Sequence, residues 1–194
     1  MKEKVLYIIA GCNGAGKTTA SFFILPEILD CKEFINADLI AKGLSPFQPE
    51  SVAFEAGRIM IERVDSLLMQ EDSFAIETTL STRSYKNKLF QASANGFKVV
   101  LLFFWLPTVE MAINRVATRV KEGGHNIPTD VIERRYFRGL ENLFKIYLPL
   151  CDKWAVYDNT TYISKIIARG KRDNQIEIIN EDTWCIFKAK QNGN

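Results

Sequence analysis

Eight residues near the amino terminus have the types and spacing of a phosphate-binding loop. Residues 11–18 read GCNGAGKT and match the pattern G-x-x-x-x-G-K-[ST] at every fixed position. Glycines let the backbone curl so that its N–H groups point at phosphate oxygens, and the helix that follows adds the positive end of its dipole. By this chemistry Lys17 would reach the β- and γ-phosphates of a nucleotide, and the Thr18 hydroxyl would bind Mg²⁺.

The predicted nucleotide-binding residues extend one position beyond this pattern. They are Gly11, Cys12, Asn13, Gly14, Ala15, Gly16, Lys17, Thr18 and Thr19. Cys12 stands at a position that the pattern leaves open, and a thiol close to the start of a helix can have a lowered pKa. We interpret Cys12 as a structural part of the loop rather than a redox centre.

A carboxylate follows the second predicted strand. Residues 33–38, EFINAD, read as a short strand that ends in polar residues, which places Asp38 at the carboxyl edge of the sheet. There it could accept a proton from a substrate hydroxyl, as general bases do in phosphoryl transfer. Alternatively, Asp38 could hold Mg²⁺ through water or cap a helical turn that starts at Leu39. We favour function, because an acid beside a phosphate loop is costly unless it is used or paired.

A second carboxylate is surrounded by hydroxyl groups. In the segment FAIETTLS, Glu77 follows a buried run and precedes Thr78, Thr79 and Ser81. Together these side chains could hydrogen-bond a polyhydroxyl or sugar-like acceptor, and we predict that they do. The alternative is an acid that is satisfied by neighbouring backbone N–H groups at the end of a strand.

Residues 115–138 concentrate basic side chains around the flexible connection GGHNIP. The basic residues of this segment are Arg115, Arg119, Lys121, Arg134, Arg135 and Arg138. Two helices joined in this way could close as a lid and bring arginines to the charge on a moving phosphoryl group. We assign that role to Arg119, Arg134 and Arg138, together with Lys17. The alternative is a solvated, salt-bridged surface.

Alternating strands and helices must position these residues. Strands are predicted at 5–9, 33–38, 73–81, 98–106 and 154–159, and helices at 17–29, 49–69, 82–94, 108–121, 130–147 and 182–190, with Thr129 capping the helix at 130. Residues 162–170 and 174–180 read as a hairpin. The pattern predicts one α/β domain over residues 1–194, with a mainly parallel five-stranded sheet, a helical lid and a C-terminal β-hairpin.

Composition limits the classes of function. The formal net charge is +2, so nothing indicates nonspecific nucleic-acid or membrane-surface binding. No apolar run approaches the roughly 20 residues of a membrane span. Four cysteines without pairing or metal-ligand spacing indicate a reducing compartment, and we expect the cytoplasm. The strongest apolar strand ends in FFWLP without a carboxylate, which favours a kinase over a motor ATPase.

Five segments together resemble the zeta-toxin family of P-loop kinases. They are GCNGAGKTT, INADLIA, AGR, FAIETTLS and GGHNIPTDVIERRYFRGLENL, and the resemblance runs from about residue 9 to residue 159. The resemblance implies a three-layer fold of the P-loop nucleotide-kinase type. It also implies ATP or GTP with Mg²⁺, an antitoxin protein as a partner and, as for characterised toxins of the family, phosphorylation of the sugar 3′-hydroxyl of UDP-N-acetylglucosamine. Lys17 and Thr18 match the family's phosphate loop, and Asp38 matches its general base. Arg58, Glu77 and Thr79 fall among its acceptor-binding residues.

The lid departs from the family pattern, so its arginines match in kind and not one to one. Cys12 replaces the proline that family members often have. From these observations we predict a Mg²⁺-dependent kinase that phosphorylates a hydroxyl of a small molecule, with a nucleotide sugar as the specific form. The competing hypothesis is a nucleotide-dependent switch, or an antitoxin-binding module, without a metabolite acceptor.

Overall fold

A central β-sheet with helices packed against it organises the protein. The computed structural model describes residues 3–70, 72–124, 126–161, 163–172 and 175–190. The strands are β1 (Val5–Gly11), β2 (Glu33–Ile35), β3 (Phe74–Thr78), β4 (Lys98–Trp105), β5 (Lys153–Asp158), β6 (Lys165–Lys171) and β7 (Ile176–Ile178). The helices are α1 (Lys17–Glu27), α2 (Ala37–Leu44), α3 (Ala53–Leu68), α4 (Tyr85–Ala94), α5 (Val109–Lys121), α6 (Thr129–Asn142) and α7 (Glu181–Ala189).

The strand order is β2-β3-β1-β4-β5-β6-β7, with β1 to β5 parallel. The first strand therefore lies in the middle of the sheet, between β3 and β4. Ile8, Ile9 and Ala10 are consecutive and all buried. Successive side chains of a strand point to opposite faces, so both faces of β1 are covered. The carboxyl ends of β1, β2 and β3 meet at one edge, where the phosphate loop begins. These features confirm the predicted fold class.

The C-terminal hairpin extends this sheet. Strand β6 pairs antiparallel with β5, and β7 pairs antiparallel with β6. Within the described residues the sheet therefore has seven strands, where five and a separate hairpin were predicted. Helix α7 follows, and its Phe187 ring contacts the rings of Phe103 and Trp105 on β4. Pairing with β5 satisfies a strand edge that would otherwise be exposed. Residues 162, 173 and 174 of the predicted hairpin lie outside the described residues.

Strand and helix ends differ from the prediction around the candidate site. Strand β2 ends at Ile35, and Asn36 caps a helix, α2, that was not predicted. The following Asp38 is therefore a residue of the first helical turn and not the end of a strand. Strand β3 also ends early, at Thr78, and α4 begins at Tyr85 instead of residue 82. In each case polar residues that cap and turn the chain had been read as strand or helix.

Helix α6, which carries Arg134 and Arg138, also differs from the prediction at both ends. Thr129 is its first helical residue and not its cap, because Pro128 occupies the cap position. In the part of the chain that the structure describes, no side-chain hydrogen bond caps this end of the helix. The α-helical part ends at Asn142, and a π-helical turn, Leu143–Tyr147, completes the predicted span. A 3₁₀ turn, Leu148–Leu150, follows beyond it. No helix among the described residues is long and apolar enough to cross a membrane.

Candidate active site

The phosphate loop is formed where β1 passes into α1, and close packing requires its glycines, as Gly11 and Gly16 show. Gly11 has φ +146°, and a Cβ there would lie 2.2 Å from the Phe104 carbonyl oxygen. Gly16 has φ +79°, and a Cβ there would lie 2.6 Å from Nδ2 of Asn159. That Asn159 amide donates a hydrogen bond to the Ala15 carbonyl at 2.6 Å. The loop is therefore packed against β4 and hydrogen-bonded to the residue that follows β5.

A buried polar cluster lies at the start of α1. The Lys17 ammonium donates to the Cys12 carbonyl at 2.9 Å and lies 3.7 Å from Glu77 Oε1, with both side chains over 90% buried. The Thr18 hydroxyl lies 3.0 Å and 2.9 Å from the two Glu77 carboxylate oxygens. Asn36 Nδ2 donates to Glu77 Oε2 at 2.8 Å. Glu77 thus joins the phosphate loop to the end of β2.

The position of Glu77 corrects one premise of the sequence analysis. The strongest apolar strand, β4, ends at Trp105 without a carboxylate. Strand β3 also adjoins β1, with Glu77 in register with Ile9, and it carries this carboxylate one residue before its end at Thr78. In P-loop NTPases an acid beside the loop hydroxyl helps to hold Mg²⁺. The absence of a carboxylate on β4 therefore does not separate a kinase from other P-loop NTPases.

Asp38 lies near this cluster but has a different environment. Its backbone N–H donates to the Asn36 Oδ1 at 2.8 Å, so Asn36, and not Asp38, is the helix cap. The Asp38 side chain is exposed, and none of the described residues makes a hydrogen bond or ion pair with its carboxylate. A solvated carboxylate at the mouth of a cleft is available to accept a proton.

A cleft of about 380 Å³ connects Asp38 with the phosphate loop. Its polar lining comes mainly from the loop, α2, the end of β3 and α6. The polar and charged residues of this lining include Asn13, Lys17, Asn36, Asp38, Glu77, Thr78, Thr79, Ser81, Thr82 and Arg135. Helix α3 contributes Ala53, Gly57 and Ile61 on the apolar side. The cleft therefore combines hydroxyl groups with two cations near the phosphate loop.

The hydroxyl-rich segment after β3, residues 78–82, is the hydroxyl turn. Leu80 has φ +56°, which is unusual for a residue other than glycine, and its side chain is fully buried. Asn142 and Tyr147 hold the turn by donating to the carbonyls of Leu80 and Thr82, each at 2.7 Å. The absence of a side chain at Gly139 lets α6 approach the turn, since a Cβ there would lie 2.5 Å from the Thr79 carbonyl. The turn is thus fixed to α6.

Only one of the basic residues on α6 lines the cleft. Arg135 is partly buried, and its Nη1 donates to Asn13 Oδ1 at 3.4 Å. Arg134 and Arg138, which were selected from the sequence, are exposed. Residue 135 lies one turn from Ile132 and Gly139, which are buried, and so it shares the inward face of α6. Arg134 and Arg138 lie on the neighbouring outward face.

The other predicted residues are placed outside the cleft. Arg58 is exposed and forms an i,i+4 ion pair with Glu62 at 3.9 Å, while its neighbour Gly57 faces the cleft. Arg119 packs against Gly124 at the end of α5. Arg115 donates to the Thr160 carbonyl at 2.8 Å, beside the segment that supports the phosphate loop.

Two functional candidates were missed in the sequence although their patterns are readable. The polar residue Asn36, two positions before an acid, is a common start of a helix. The helical spacing of Ile132, Tyr136 and Gly139 indicates which arginine of α6 faces inward. Asn159, in contrast, carries no local pattern that points to the phosphate loop.

The environment of Cys12 gives a testable expectation. Burial raises the pKa of the Cys12 thiol to about 11, although the Lys17 ammonium acts in the opposite direction. At pH 8 the thiolate fraction is then on the order of one in a thousand. We expect iodoacetamide to modify the exposed Cys185 first. The rate of modification of Cys12 should be lower by a factor of about 100 or more. Peptide mapping by mass spectrometry measures both rates, and equal rates would contradict the burial of Cys12.

Comparison with known proteins adds sequence and fold relationships. The family model described as Zeta toxin matches residues 1–183. A Haemophilus influenzae protein described as uncharacterised is 33% identical over 136 residues, which cover 70% of this chain and 94% of that protein.

Three solved structures share the fold at low sequence identity. AvrRxo1-ORF1:-ORF2 with ATP matches at a TM-score of 0.77 and 17% identity, over 97% of this chain and 64% of that chain. The PezAT chromosomal toxin-antitoxin system of Streptococcus pneumoniae matches at 0.68 and 16%, over 100% and 88%. Shikimate kinase from Acinetobacter baumannii, in complex with shikimate, matches at 0.50 and 18%, over 79% and 82%. The chain thus spans less than two thirds of the AvrRxo1 chain.

Proposed function

Because this chain belongs to the zeta-toxin family, we propose that it transfers the γ-phosphoryl group of ATP or GTP to a hydroxyl of a small molecule. The observation that supports this proposal is the shared cleft of Lys17, Asp38 and the hydroxyl turn. A phosphate-binding lysine, an exposed carboxylate and hydrogen-bonding groups for an acceptor are the parts that such a transfer needs.

In this mechanism Asp38 accepts the proton of the attacking hydroxyl. Lys17 and Arg135, both at the phosphate end of the cleft, stabilise the negative charge on the phosphoryl oxygens. Thr78, Thr79 and Ser81 hydrogen-bond the acceptor. Arg135 takes the place that the sequence analysis gave to Arg134 and Arg138, because its side chain alone among these three lines the cleft. Arg58 and Arg119 do not line the cleft, so this mechanism gives them no role.

The residues around Thr18 fit a magnesium ion. A hydroxyl and a carboxylate within 3.0 Å of each other offer the oxygen ligands that Mg²⁺ takes together with nucleotide phosphates. We assign Thr18 and Glu77 as ligands of this ion. Glu77 therefore has a metal-binding role in this proposal and not the acceptor-binding role that the sequence predicted. When bound, the ion neutralises charge on the β- and γ-phosphate oxygens.

UDP-N-acetylglucosamine is the specific acceptor to test first. Purified protein with ATP or GTP, Mg²⁺ and this nucleotide sugar should give a phosphorylated sugar product, detectable by mass spectrometry. Nucleotide binding without a product would reject this acceptor and lead to a panel of other polyhydroxyl compounds. Slow hydrolysis that no metabolite stimulates would instead support the nucleotide-dependent switch.

An antitoxin protein is the proposed macromolecular partner. The PezAT structure, which covers the full length of this chain, is described as a toxin-antitoxin system. Co-expression of this chain with a neighbouring open reading frame, followed by size-exclusion chromatography, tests this partner independently of turnover.

The inward placement of Arg135 gives a prediction for α6. Arg135→Ala is expected to lower kcat by about 10²-fold or more, since the variant removes a cation from the phosphate end of the cleft. Arg134→Ala, one residue away on the exposed face, is the matched control and should retain activity within a few-fold. Steady-state kinetics measure both. A larger loss in Arg134→Ala would mean that α6 presents its other face during the reaction.

A further inference from the structure

Asn36 uses both ends of its side chain within the candidate active site. The side chain is 5% exposed, between the end of β2 and the start of α2. Its Oδ1 accepts the backbone N–H groups of Asp38 at 2.8 Å and of Leu39 at 3.1 Å. Its Nδ2 donates to Glu77 Oε2 at 2.8 Å and lies 3.5 Å from the Thr18 hydroxyl oxygen. One amide therefore connects the helix that carries Asp38 to Glu77.

Capping alone does not account for this arrangement. A helix cap needs only the acceptor oxygen, which serine, threonine or aspartate supply about as well as asparagine. The donor Nδ2 is what asparagine adds, and here it meets a buried carboxylate. Elsewhere in the chain, Asn180 caps α7 by accepting the Thr183 N–H at 3.0 Å. The two caps share residue type and helix position, and Asp182 follows Asn180 as Asp38 follows Asn36.

The Glu77 carboxylate has several donors, and their directions fix its orientation. Thr18 contacts both of its oxygens from the phosphate loop, Lys17 lies 3.7 Å from Oε1, and Asn36, after the end of β2, donates to the same Oε2 that Thr18 contacts. Partners that hold a metal-binding carboxylate in place affect metal affinity and activity strongly. Without the Asn36 donor, the carboxylate could rotate away from the loop hydroxyl.

We propose that Asn36 is a positioning residue that sets the metal side and the base side of the reaction together. Its Nδ2 holds the Glu77 carboxylate against Thr18, while its Oδ1 fixes the first turn of α2, from which Asp38 projects. This inference rests on the proposed function, because it requires that Glu77 and Thr18 hold Mg²⁺. The distance between the Asp38 carboxylate and the metal ligands Thr18 and Glu77 would then depend on the Asn36 side chain.

The variant that tests this role is Asn36→Ser. Serine keeps a capping oxygen but is too short to donate to Glu77, so only the Nδ2 contact is lost. Isothermal titration calorimetry with ADP and with GDP, each in EDTA and in Mg²⁺, measures nucleotide affinity without any acceptor. We expect metal-free affinity to stay near that of the wild type, and the affinity gain from Mg²⁺ to fall by about 10-fold. We also expect kcat to fall by about 10- to 100-fold, with little change in the KM of the acceptor.

Controls separate this role from capping and from the proposed function. Asn180→Ser makes the same change in α7 and should leave every quantity unchanged, and Asn36→Thr serves as a second capping variant if Asn36→Ser does not fold. A wild-type Mg²⁺ effect that persists in Asn36→Ser, with full kcat, would overturn the positioning role and leave the kinase proposal intact. Nucleotide binding that ignores Mg²⁺ in the wild type would instead reject the metal assignment of Thr18 and Glu77.

Discussion

Replacement of Lys17 by methionine is expected to lower kcat by about 10³-fold. The side chain is 7% exposed, and its ammonium is fixed by the Cys12 carbonyl and the Glu77 carboxylate. In that position the charge is directed at the phosphate end of the cleft and is little screened by water. A preorganised charge of this kind stabilises the transferring phosphoryl group more than a mobile surface charge does. Methionine keeps most of the volume and removes the charge.

Lys145→Met is a suitable control for the loss of one lysine charge. Lys145 is exposed on the surface and forms an i,i+4 ion pair with Glu141 at 2.9 Å. An exposed pair contributes roughly 0–1 kcal/mol to stability, so this variant should keep both its fold and its activity. Circular dichroism establishes that both variants are folded, and initial rates at saturating nucleotide give kcat. Full activity in Lys17→Met would contradict the phosphate-binding role of the loop.

Asp38→Asn should produce a second large loss of activity. An amide cannot accept the proton of the acceptor hydroxyl, and the loss of a general base typically lowers kcat by about 10²- to 10⁴-fold. Binding of ADP should remain within a few-fold of the wild type, because Asp38 is separate from the phosphate loop. Stability should change little, since the exposed carboxylate makes no polar contact with the described residues.

Helix α7 provides the control for this variant. Asp182 occupies the first turn of α7, two residues after its asparagine cap, as Asp38 does in α2. Asp182→Asn removes the same favourable interaction with a helix dipole, of about 0.3–1 kcal/mol, at a distance from the cleft. Activity should be lost in Asp38→Asn and kept in Asp182→Asn. Equal activity in the two variants would exclude Asp38 as the base.

Local patterns in the sequence were enough to predict the phosphate loop and the fold class. The loop is contiguous, and its glycines, lysine and threonine each carry a fixed chemical meaning. The alternation of apolar strands and amphipathic helices predicted a mainly parallel sheet. The hairpin strands were also predicted, but their pairing with β5 depends on an open edge that the sequence does not mark.

Long-range contacts explain what the sequence did not reveal. The contact between Thr18 and Glu77 joins residues 59 positions apart, and it requires β3 to lie beside β1. Nothing in the segment FAIETTLS distinguishes a carboxylate that faces the phosphate loop from one that faces an acceptor. For the arginines of α6, the charge pattern alone does not predict which one faces the cleft. The buried positions Ile132, Tyr136 and Gly139 mark the inward side of the helix.

The hydrogen bond from Asn159 to Ala15 has a consequence for synthesis of the chain. It joins residues 144 positions apart, so the phosphate loop emerges from the ribosome early but obtains its support only when β5 is complete. Pairings between distant residues form late, because a long loop must close before they contribute. A nascent chain that ends before residue 159 therefore lacks the hydrogen bond that holds Ala15 of the phosphate loop.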